Sequence, residues 1–137
     1  MEFEKSKYSK ILNYYKIEKP FGNFYLCEHF FIAELSEGIH FDWKMIENVS
    51  VDLIDYYGNK TSLGYISNRI NSYSIDPHFW NKIDKKYGIF TNSAIVYYNE
   101  MMYMNATLEK QFSNINIKRC ISLEEAINWV LEKETNK

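Results

Sequence analysis

The feature that most constrains this chain is an alternation of two periods. Short apolar runs bounded by turn residues alternate with longer segments whose apolar residues recur at helical spacing. Ser62–Ile66, Ser93–Tyr98 and the run within 115–121 are the apolar stretches; 42–57, 77–87, 99–112 and 122–132 are the helical ones. A run apolar on both sides fits a strand covered on both faces, as parallel strands are. Strands separated by helices need crossovers, and right-handed crossovers set such strands side by side in one sheet.

The start of the chain follows another rule. Tyr14–Glu18, Asn23–Cys27 and Phe30–Leu35 read as three strands, with turn signals at Pro20-Phe21-Gly22-Asn23 and a junction at Glu28-His29. They predict an antiparallel meander at one side of the sheet. The expected fold class is therefore α/β: a single mixed sheet with parallel central strands, an antiparallel N-terminal edge and about four helices. A chain of 137 residues suffices for one domain. Residues 1–13 are expected as an N-terminal arm, 14–132 as the domain and 133–137 as a polar tail.

Caps and stripes place the helices. Asp42 suits the N-cap of a helix to about Tyr57, with Ile46, Val49, Leu53 and Tyr56 on one face and Gly58-Asn59 at its end. Asn99 suits the cap of the next long helix, where Met101, Met104, Leu108 and Phe112 form one stripe. That stripe is expected in the core; the alternative is an adaptable methionine surface. Ser122 and Glu125 form a capping box. The helix they open is expected to bury Leu123, Ala126, Ile127, Val130 and Leu131.

The stretch from Ser62 to Trp80 is the centre of the pattern. Gly64 inside the strand lets another element approach closely. After Ser67 the chain turns polar, and Asp76-Pro77 resembles an N-cap followed by proline at the first helical position. Phe79, Trp80, Ile83 and Tyr87 then share a helix face. The loop after a parallel strand is where open α/β sheets often place a site, and a helix N-terminus offers free N–H groups. Asn68, Arg69, Asn71, Ser72, Ser74, Asp76 and His78 are therefore the candidate partner-binding residues, on an accessible rim. The competing role is local: Ser74 and Asp76 cap the helix and the asparagines satisfy the turn.

Charge and motifs narrow the function. A net charge of -2 argues against general nucleic-acid binding, which needs a basic face. No apolar run has the length of a membrane span, and residues 1–7 lack the apolar centre of a signal peptide, so a cytoplasmic protein is expected. Cys27 and Cys120 are then expected as buried free thiols. His29, His40 and His78 show no metal-ligand spacing, the glycines form no phosphate loop, and no nucleophile motif occurs. The expectation is a non-enzyme with no metal and no cofactor.

Three segments carry a resemblance. Tyr65-Ile-Ser-Asn-Arg-Ile-Asn-Ser-Tyr-Ser-Ile-Asp-Pro77, the strand Ser93-Ala-Ile-Val96 and the ending Ser122-Leu-Glu-Glu-Ala-Ile-Asn-Trp129 are similar to STAS-type domains. More narrowly, the chain from about Phe30 to Glu132 resembles the small SpoIIAA-like proteins of flavobacteria. The resemblance implies a bacterial interaction module of the anti-sigma-factor-antagonist kind. In those antagonists, phosphorylation of a serine at the helix start abolishes partner binding; Ser72 and Ser74 occupy the matching region. The usual Asp-Ser-Ser-Gly type of sequence is absent. The function expected first is non-catalytic protein interaction, docking through the loop and its helix. The alternative, drawn from the same resemblance, is a small apolar or lipid-like ligand in a pocket. A homodimer completed by the N-terminal arm is a third expectation.

Overall fold

The computed structural model describes residues 1–58, 62–88 and 90–135. A six-stranded sheet runs β1-β2-β3-β5-β7-β8. Strands β1 (Tyr15–Lys19), β2 (Gly22–Leu26) and β3 (Phe30–Leu35) form the antiparallel meander. Beyond them β5 (Leu63–Asn68), β7 (Phe90–Val96) and β8 (Asn116–Cys120) are parallel. This is the mixed sheet the alternating periods predict, with β5 in its interior. A tiny second sheet, which the sequence did not suggest, pairs β4 (His40–Phe41) with β6 (Ser74–Ile75).

Because β3, β5, β7 and β8 succeed one another in one direction, their crossover helices all lie on one face. These are α2 (Trp43–Tyr57), α3 (Phe79–Tyr87) and α4 (Glu100–Gln111). Asp42 caps α2, its side chain accepting from Met45 N at 3.0 Å, and Asn99 caps α4 through Met102 N at 2.9 Å. Ile46, Val49 and Leu53 of α2 and Phe79, Trp80 and Ile83 of α3 enter the core as their spacing predicts. Tyr56 remains exposed, stacked on Tyr15. Much of the aromatic content is spent in this layer. Phe31 and Tyr65 stack at 4.7 Å, with Trp80 and Phe90 beside them.

The other face carries α5 (Leu123–Thr135) and the N-terminal segment. Ser122 Oγ accepts from Glu125 N, the first half of the capping box, while Glu125 Oε1 reaches back one residue further and accepts from Ile121 N rather than Ser122 N. Leu123, Ala126, Ile127 and Val130 are buried, whereas Leu131 is only half-buried. The helix runs through residues expected to belong to a polar tail. Gly64 is where α5 meets β5: a Cβ there would overlap Val130 Cγ1 and lie 3.1 Å from Phe30 Cβ.

The N-terminal arm is not free. A short turn at Phe3–Lys5 and helix α1 (Tyr8–Ile11) fold back on the chain's own sheet. Phe3 is fully buried against Tyr14 and Tyr25, so its anchor is spent within the protomer. Cys27 and Cys120 are buried free thiols. Burial pushes both up to about 12, which leaves them inert as nucleophiles near neutral pH.

Candidate functional site

Strand β5 ends at Asn68, and the two residues expected first on the rim turn inward instead. Asn68 is 1% exposed and Arg69 is 6% exposed. Neither can meet a partner from the position the sequence suggested. The reason is electrostatic in both cases: each satisfies a buried carboxylate.

Arg69 lies on the α2–α4 side. Its Nη1 and Nη2 donate to Glu109 Oε2 and Oε1 at 2.5 and 2.6 Å, a bidentate pair. Trp80 Nε1 donates to Glu109 Oε1 at 2.9 Å, and Arg69 Nε donates to Ser67 Oγ at 3.1 Å. Burial alone would lower the Arg69 value, but Tyr73 and Glu109 outweigh it and hold the guanidinium charged. The pair ties the root of the loop to α4.

Asn68 lies on the α5 side. Its Nδ2 donates to Glu34 Oε2 and to the Met1 carbonyl, each at 2.8 Å. Tyr98 donates from its hydroxyl to Asn68 Oδ1 at 2.6 Å. Burial holds the Glu34 carboxyl above the ordinary carboxylate value, although the Phe3 N–H and Asn68 pull it back down.

Past Arg69 the loop does reach solvent, stitched to the 36–41 segment. Ser72 N donates to Glu37 Oε2, and Gly38 N donates to the Ser72 carbonyl, both at 2.7 Å. Asn71 is half-buried and donates to the Leu35 carbonyl at 3.0 Å. Ser74 belongs to β6 and caps no helix; its Oγ and His40 Nδ1 share a hydrogen bond of 2.7 Å. Asp76 forms the turn that precedes α3, its Oδ1 accepting from His78 N and its carbonyl from Phe79 N. Pro77 therefore sits in that turn, and the α-helix starts two residues later at Phe79. His78 is exposed, with its ring 4.7 Å from that of Phe112.

The expectation about α4 is overturned. Met101, Met104, Leu108 and Phe112 are 73%, 60%, 47% and 43% exposed. The buried face of this helix is instead Met102, Ala106 and Glu109. Ala106 allows the helix close to the sheet, and Glu109 must point inward to meet Arg69. The more apolar stripe is left on the outside. It runs beside the 71–78 loop: Met101 shares a shallow cleft with Asn71 and Ser72, Leu108 shares one with Ser74 and Pro77, and Phe112 touches His78. Tyr73, half-buried between these clefts, is hydrogen-bonded to Ser67.

Sequence reasoning missed Glu34, Glu109 and Tyr73. One signal was available for Glu109: Met102, Ala106 and Glu109 repeat at helical spacing opposite the apolar stripe, and a buried Glu calls for a cation such as Arg69.

No helix among the described residues is long and apolar enough to cross a membrane. No protein-family model matches the chain, and no curated protein is significantly similar to it. Among solved structures, the chain is similar to an uncharacterized protein of the DUF3478 family from Shewanella loihica PV-4, described as having a SpoIIAA-like fold. The two share 14% identity with a TM-score of 0.53, over 87% of this chain and 93% of the other. At that identity the likeness speaks for architecture alone. The chain has a SpoIIAA-like fold.

Proposed function

We propose that the protein is a non-catalytic interaction module that docks a partner protein through the 71–78 loop and the exposed face of α4. The observation that carries this is the stripe Met101, Met104, Leu108 and Phe112, exposed and contiguous with Ser72, Ser74 and His78. An apolar strip rimmed by polar side chains is a common mark of an interaction surface, and methionine adapts to varied partners. Asn68 and Arg69 serve this surface indirectly, by fixing the loop's root. Ser72 and Ser74 are exposed on its polar rim, so a phosphate there would add bulk and charge beside the stripe.

A lipid-like ligand beneath α4 has less to support it. The spaces between that helix and the loop measure about 110 and 100 Å3 and contain Arg69 and asparagine side chains. Pockets for such ligands typically enclose about 300–1,000 Å3 with mostly apolar walls.

The test is quantitative capture from native lysate with three full-length baits: wild type, Met104→Glu/Leu108→Glu, and Val51→Glu on exposed α2. A partner retained by wild type and Val51→Glu but lost from the stripe variant supports the surface. Equal retention by all three contradicts it.

A further inference from the structure

The six-stranded sheet has two margins, β1 and β8. A sheet margin is an unfinished ladder that another strand can extend unless charge, a bulge or a covering segment protects it. The two margins are guarded differently. β8 carries Lys118 and Arg119 side by side, so a second β8 laid antiparallel across them would set like charges together. β1 carries Lys16 and Lys19, but both are neutralised within the protomer. Lys16 lies 3.2 Å from Glu4 and 3.1 Å from Glu18, and Lys19 lies 2.6 Å from Asp52. No strand pairs with the outer side of β1 among the described residues.

The ladder shows which backbone groups of β1 face outward. Cys27 N donates to the Phe30 carbonyl, and Ser36 N donates to the Phe21 carbonyl. The odd-numbered residues along β2 therefore bond to β3, and the even-numbered Gly22, Phe24 and Leu26 bond to β1. Their register partners are Lys19, Ile17 and Tyr15. Lys16 and Glu18 are left with N–H and carbonyl groups turned away from the sheet. These are also the two residues of opposite charge at the centre of the strand. A second β1 laid antiparallel about a two-fold axis at Ile17 sets each Lys16 against Glu18 of the other copy, in hydrogen-bonded pairs. Ile17, half-buried on the α2 side, then meets Ile17 of the second copy in the closer, non-hydrogen-bonded pair. The strand is thus complementary to itself in hydrogen bonds, in charge and in apolar contact, as an isologous interface requires.

We propose that β1 is a self-association edge, through which two copies of the chain pair by Tyr15–Lys19 and join their sheets into one. The occupant of this edge is a second copy, because the charge order Lys16-Ile17-Glu18 matches its own reverse. The N-terminal arm takes no part and stays folded on its own sheet. A strand of five residues makes a short interface, so the dimer is reversible and depends on concentration. β1 lies at the margin opposite β8, so pairing leaves α4 uncovered in each copy and the dimer offers two docking surfaces.

Sedimentation velocity of the full-length chain over a wide range of concentrations reads the association. Wild type should pass from monomer to dimer; a chain that stays monomeric throughout overturns the proposal. Glu18→Lys sets a lysine against Lys16 of the second copy, and Lys16→Glu sets a glutamate against Glu18. Each should weaken association about tenfold or more. Mixed in equal amounts, the two variants should associate at least as tightly as wild type, since each then opposes the other's charge. Variants that dimerise like wild type, or that fail to recover on mixing, overturn the proposal. Should Lys16→Glu not fold, amide exchange of wild type decides. Raising the concentration should slow the Lys16 and Glu18 amides and leave that of Ile17, already bonded to β2, unchanged. A dimer whose Lys16 and Glu18 amides exchange as fast as in the monomer contradicts it.

Discussion

Asn68 and Arg69 are adjacent in sequence and bury opposite kinds of carboxylate. Arg69 meets Glu109 with a full charge in bidentate geometry, and Trp80 completes the site. Asn68 meets Glu34 with a dipole only, beside one peptide N–H. A buried carboxylate matched by a guanidinium is locked, because removing either partner strands a charge. One held by neutral donors, with only the Met1 amino group adding positive charge to its surroundings, keeps a raised proton affinity because burial prevails. One strand end thus anchors a charge-paired joint on its α4 side and one made by neutral donors on its α5 side.

The largest expected effect breaks the locked side. Arg69→Met should cost about 3–5 kcal/mol, read as a lower urea midpoint, because Glu109 is left buried and unpaired. Arg69→Met with Glu109→Leu should recover most of that loss, short of about 1 kcal/mol for the Trp80 N–H left without its acceptor. If the double variant is as unstable as the single one, the cost lies in packing rather than in the stranded charge.

On the other side Asn68→Ala should cost less, about 1–3 kcal/mol, since it removes one amide from a cluster that keeps the Phe3 N–H. Glu34→Gln sharpens the contrast through pH. The folded chain binds the Glu34 proton more tightly than the unfolded chain. Between the unfolded and folded values the native state therefore holds more protons, and stability falls as pH rises through that window. Thermal melts of Glu34→Gln should lack this slope and exceed wild type most at its upper end. An unchanged slope would place the titrating group elsewhere. The smallest stability effect belongs to the exposed stripe: Met104→Glu/Leu108→Glu should shift stability by no more than about 0.5 kcal/mol per substitution. A larger loss would mean that the stripe packs against the domain.

The fold was legible because its signals are local. Asp42, Asn99 and the Ser122–Glu125 box cap helices where their chemistry requires, and Gly64 marks the contact with α5. The candidate surface was half legible. Ser72, Ser74, Asp76 and His78 are exposed as the polar loop suggests, whereas Asn68 and Arg69 are claimed by Glu34 and Glu109, partners 34 and 40 residues away. No local pattern reports a bond at that separation. The α4 stripe misled for a related reason. Hydrophobic periodicity selects the most apolar face, but the buried face was chosen by a small residue and by a charge whose partner lies at the root of the loop after β5. The loop's pairing with β4 was equally invisible, since two-residue strands have no period.

The central claim is that α4 presents its apolar stripe, and not its Glu109 face, to a partner. Site-specific photo-crosslinking in living cells tests it most directly, with a crosslinking residue placed singly at Met104, Leu108 and, on the far side, Val51. The account predicts one common adduct from positions 104 and 108 and none from 51. Equal adducts from all three positions, or an adduct from 51 alone, would contradict it.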